Sequence, residues 1–121
     1  MGETAPMNFV LVALGGALGA MGRYGVSLLA ITWLGAAYPW GTLAVNILGS
    51  AAIGVLAAQG IEGNARLFWV TGVLGGFTTF SAFSLEAALL WERAPWLAAL
   101  YVAASVGLGL AGFALGWWLG R

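Results

Sequence analysis

The sequence predicts an all-α membrane protein: four transmembrane helices forming one domain over residues 1–121. Three observations carry that expectation. The chain is 62% apolar and only 7% charged, too few charges to solvate the surface of a water-soluble fold. Four apolar runs, residues 9–34, 40–59, 67–91 and 95–119, each reach the roughly 20 residues that a hydrocarbon core of about 30 Å requires of a helix. Trp33, Trp40, Trp91, Trp96, Trp117 and Trp118 fall at the ends of those runs, where indole sits at headgroup depth, and Trp69 alone lies slightly inside.

The first run has no basic leader and exceeds the length of a cleavable signal, so it reads as a retained helix. Near its middle stands Arg23, and Gly15 and Gly19 are spaced as GxxxG, as are Gly112 and Gly116 in the fourth run. Such pairs serve either contact between copies or helix packing within one chain. Turn-like connections at residues 35–39, 60–64 and 92–94 make consecutive helices antiparallel.

In the second run Thr42, Asn46, Gly49 and Ser50 recur at helical spacing on one face. The Asn46 amide needs a partner in an apolar slab. It makes a structural interhelical hydrogen bond or aims a donor at an anion path.

The third run is the most informative, reading GVLGGFTTFSAFS over residues 72–84. Gly75 and Gly76 followed by Thr78 and Thr79 weaken a helix, because glycine has high backbone entropy and hydroxyls compete for backbone groups. A break near mid-membrane is therefore expected, tolerated only where protein or a watered cavity surrounds it. Carbonyls freed there suit a hard alkali cation, and a bare Gly-Gly packing point is the alternative. Phe80 and Phe83 sit three apart, with Thr79, Phe83 and Glu86 aligned at i, i+4 and i+7. The rings either pack or turn their positive edges to an anion, and the Ser81 and Ser84 hydroxyls add donors nearby. In the fourth run Tyr101 and Ser105 stack on one face as two more hydroxyls. Arg23 and Glu86, the two charges inside spans, form a structural pair, snorkel to the interface or act on the path.

What is missing excludes other classes. With no Cys and no His there is no thiolate or imidazole chemistry, so the chain is not expected to be an enzyme. Zero net charge and no basic cluster argue against nucleic acid as a partner. The partners expected are the lipid bilayer and other membrane-embedded chains. Arg66 and Arg121 share the side of the termini, Arg93 takes the other, and Arg23 is ambiguous, so the positive-inside rule gives almost no preference. Dual topology follows as a hypothesis, with two copies of opposite orientation forming an antiparallel homodimer.

Three segments in order, GGALGAMGRY at 15–24, GTLAVNILGSAAIG at 41–54 and GVLGGFTTFSAFSLE at 72–86, closely resemble the small fluoride channel family often called Fluc or CrcB. The resemblance covers essentially the whole chain. It implies a multi-pass protein of the cell (inner) membrane, an antiparallel homodimer with two pores that passively export fluoride around a central structural sodium ion. It implies that the backbone carbonyls of Gly75 and Thr78 from both copies hold the sodium. Asn46 would stand at the base of a vestibule, Phe80 and Phe83 would form an aromatic box with Thr79, Ser81 and Ser84 in the same segment, and Tyr101 and Ser105 would begin a hydroxyl track. The family usually shows Thr where this chain has Ala82, and a hydroxyl where Gly109 stands, so the implied track is shortened. A small dual-topology drug exporter has similar length, but it wants an acidic residue in helix one, where this chain carries Arg23.

Overall fold

A computed structural model describes residues 4–121 of the chain. The first helix, α1 (Ala5–Leu34), has proline in its first turn, where the missing N–H costs nothing, and stops at Gly35, whose positive φ of 81° few other residues adopt. Helix α2 (Trp40–Ala58) follows Pro39 directly. The third span, Gly63–Arg93, is composite. It opens with α3 (Gly63–Arg66), runs through a π-helical stretch (Leu67–Leu74) and a single turn α4 (Gly75–Phe77), breaks, and resumes as α5 (Ser81–Arg93). The last helix is α6 (Pro95–Gly120), again with proline in its first turn.

All four spans are long and apolar enough to cross a bilayer, and the chain is a multi-pass membrane protein. Four of the helix starts and ends lie beyond the apolar runs. Helix α1 begins at Ala5 rather than residue 9 because Pro6 is preset for a first turn. The third span reaches from Gly63 to Arg93 rather than 67 to 91, and α6 to Gly120. Backbone hydrogen bonding continues past the apolar stretch into residues whose polarity suits the headgroup layer. Helix α2 ends at Ala58, with Gln59 as its cap.

Helix α2 packs most extensively on α6, and α1 on the π-helical stretch and α4. Both GxxxG pairs are used inside the chain. A Cβ on Gly19 would run into the Val73 carbonyl, and one on Gly116 into the Ala51 carbonyl. The small buried core, with Leu43, Leu90, Ala98 and Tyr101, lies where α2, α5 and α6 meet, and Thr42 and Val45 of α2 are buried as well. Interior polar groups are thus held between α2 and the second half of the third span.

Candidate functional site

The third span loses its helix midway. Helical geometry ends at Phe77, Thr78 is extended (φ −88°, ψ 159°), and the helix resumes at Ser81, while the span as a whole bends by 17°. The break therefore interrupts hydrogen bonding more than direction. Local residues explain it. The Thr78 hydroxyl and its own N–H both donate to the Leu74 carbonyl, at 2.9 and 3.0 Å, closing the helix behind it. The Thr79 hydroxyl accepts the Ala82 N–H at 3.1 Å, the N-cap arrangement that starts α5.

Asn46 bridges the gap from α2. Its Nδ2 donates to the Thr79 carbonyl at 2.9 Å and its Oδ1 accepts the Thr79 N–H at 2.8 Å, so a side-chain amide replaces the missing helix partners of that peptide. One Nδ2 proton remains for another acceptor. Because the Thr79 N–H is diverted to Asn46, the Gly75 carbonyl loses its i+4 donor, and no backbone N–H of residues 78–80 replaces it. The Thr78 carbonyl likewise receives no backbone donor, since the Ala82 N–H goes to Thr79 Oγ1. The neighbouring Gly76 carbonyl is taken by Arg23, whose Nε donates at 3.1 Å from α1. The two glycines thus divide the work. A Cβ on Gly76 would collide with the Gly16 carbonyl, so Gly76 is the packing point, whereas Gly75 is exposed and meets only the Val70 carbonyl at 3.6 Å.

A cavity of about 410 Å³ opens on this break. Asn46, Ser50, Gly75, Thr78, Thr79 and Ser105 give it its polar groups, Phe80 and Phe83 their rings, and no charged residue among those described lines it. The Ser105 hydroxyl is buried without a protein partner, a donor left available in the wall. Phe80 is 78% exposed and its ring lies 5.4 Å from that of Phe83, which lies 5.2 Å from that of Tyr101. Ser81 Oγ stands 3.3 Å from Thr79 Oγ1, and Ser84 donates back to the Phe80 carbonyl at 3.0 Å. Ser84 therefore spends its proton within its own helix.

Beyond Phe83 the polar groups continue. Glu86 accepts the Thr42 hydroxyl at 2.9 Å on one oxygen and the Tyr101 hydroxyl at 3.0 Å on the other. Of the two hydroxyls expected on the fourth span, Ser105 lines the cavity while Tyr101, fully buried, points its proton to Glu86. Arg23 and Glu86 do not pair; each binds its own neighbours. Two residues that the sequence places on the Asn46 face, without a role of their own, take part. Ser50 lines the cavity and Thr42 holds Glu86, and the signal for both was their place on the Asn46 face of α2. For a metal, the described residues offer no group of three or more His, Cys, Asp or Glu. Two neutral carbonyls at Gly75 and Thr78 suit an alkali ion far better than a divalent one, which draws on carboxylates.

Such a chain belongs to the small multi-pass membrane proteins whose polar groups line a cavity at the break of a span. Comparison with known proteins narrows the class. Residues 10–117 match the family model described as CrcB-like protein, Camphor Resistance (CrcB). The chain is 52% identical over 121 residues to a protein of Hyphomonas neptunium named fluoride-specific ion channel FluC, covering 94% of this chain and 95% of that one. It is 49% identical over 116 residues to a protein of Rhodopseudomonas palustris with the same name, covering 91% and 94%. The chain belongs to the CrcB family, whose curated relatives here carry the names of ion channels rather than enzymes.

Proposed function

We propose that this chain is a fluoride-selective ion channel of the cell inner membrane, passively exporting fluoride through two pores of an antiparallel homodimer with a central structural sodium ion. The observation that carries the reading is the uncharged cavity at the break, with the unpartnered Ser105 hydroxyl in its wall. Fluoride is small and strongly hydrated, so a selective path must replace its water with closely spaced donors while letting it leave again. Neutral groups meet both needs. The spare Asn46 proton, the Thr79 and Ser81 pair and Ser105 supply donors, and the Phe80 and Phe83 ring edges carry partial positive charge. Further along, a fluoride reaching Thr42 and Tyr101 competes with Glu86 for the same two hydroxyl protons.

The Gly75 and Thr78 carbonyls of two copies would hold the sodium ion, which supplies a fixed positive charge beside the path. The names of relatives about half identical over nearly the full chain support the same substrate. Reconstitution into proteoliposomes tests the reading, with fluoride efflux followed by a selective electrode and chloride as control. Rapid fluoride release with chloride retained is expected. Trapped fluoride, or chloride leaving at the same rate, overturns it.

A further inference from the structure

Glu86 faces more than the two hydroxyls that hold it. It also lines two smaller cavities at the end of the chain that carries the 35–39 connection. One, of about 170 Å³, lies between that strap and α1 and is shared with Ser27, Tyr38 and Thr42. The other, of about 200 Å³, lies between the strap and α5 and is bounded by Ala36, Ala37, Pro39, Leu89 and Arg93. Among the described residues two charged ones line this second cavity, Glu86 within and Arg93 two helical turns outward on α5. Arg93 also holds the strap, its Nη2 donating to the Ala37 carbonyl at 2.6 Å. That partner is neutral, so the bond leaves the charge in place.

We propose that Arg93 is the anion-attracting group at the outer mouth of the ion path and that the strap it holds forms the wall of that mouth. The inference rests on the channel reading above. An anion crossing this stretch passes a carboxylate, and a guanidinium at the outer end of the same cavity offsets the repulsion and raises the local anion concentration. The competing account makes Arg93 a tether alone, favourably placed at a helix C-terminus. Charge and tether differ in their response to salt, because a field acting through water fades once the Debye length falls to a few ångströms.

Fluoride efflux is therefore to be compared in proteoliposomes for the wild type, Arg93→Gln and Arg93→Lys, at about 20 mM and about 500 mM of an impermeant salt. Arg93→Gln should be about threefold slower than wild type at low salt and approach it at high salt, the size expected of one unit charge several ångströms away in water. Arg93→Lys should keep the wild-type rate. In Glu92→Gln the charge beside Arg93 is removed with the tether intact, and low-salt efflux should rise. A salt-independent loss in Arg93→Gln, or unchanged low-salt efflux in either Arg93→Gln or Glu92→Gln, overturns the inference. Should Arg93→Gln fail to fold, the Glu92→Gln result decides. A wild type that retains fluoride is a different outcome, one that removes the channel reading itself.

Discussion

Ser105 separates a packing account from a transport account most sharply, because its loss should move stability and transport in opposite directions. A buried hydroxyl without a partner costs about 1–3 kcal/mol of desolvation, so a residue present only for packing would be improved by losing it. Ser105→Ala should leave stability unchanged or raise it by about 1 kcal/mol, read as the thermal unfolding midpoint in detergent. Fluoride efflux should fall about tenfold, since a hydrogen bond to a charged group contributes roughly 1.5–3 kcal/mol. Equal efflux in both proteins would remove Ser105 from the path. Asn46 offers no such separation. Its amide clamps the Thr79 peptide on both sides, so any substitution disturbs the break and the cavity together. From position alone a hydrogen-bonded Asn46 was one of two readings, and the structure shows that bond with one proton left over.

At the scale of the helix, the break was legible in the sequence because its causes are local: two glycines, then two threonines that bond backward and forward to the flanking turns. What those residues cannot reveal is where the orphaned backbone groups turn for partners. The Asn46 and Arg23 bonds cross 33 and 53 residues of chain, and they exist only once α1 and α2 are packed against the third span. The π-helical stretch at Leu67–Leu74 has the apolar composition of any span, so no residue type announced it. Nor did spacing decide the role of the GxxxG pairs, which depends on the neighbouring backbone. Gly19 and Gly107 provide the test. Gly19→Ala pushes a methyl into the Val73 carbonyl and should lower stability by about 1–3 kcal/mol, whereas Gly107→Ala meets nothing within 4 Å and should be neutral or slightly stabilising. Unfolding midpoints of the two variants check this, and equal midpoints would place the first glycine pair outside the packing of the chain.

For the molecule as a whole, the question left by a single chain is what covers the open side of its cavity. Phe80 is largely exposed beside that cavity, and polar groups facing lipid without partners are costly at membrane depth. In the proposed dimer a second copy would supply the missing wall, and its antiparallel arrangement would also bring two sets of Gly75 and Thr78 carbonyls to one axis. It requires the chain to insert both ways. Arg66 and Arg121 at one end against Arg93 at the other leave little bias to prevent this. The absence of cysteine makes the requirement directly measurable. Gln59→Cys places one thiol at the exposed end of α2, on the side of the C-terminus, where substitution disturbs no core packing. An impermeant maleimide added outside intact cells or sealed vesicles should label about half of the protein, and permeabilisation should expose the remainder. Labelling of nearly all or nearly none from one side would fix a single orientation, and the antiparallel dimer, its shared cation site and its paired pores would fall together.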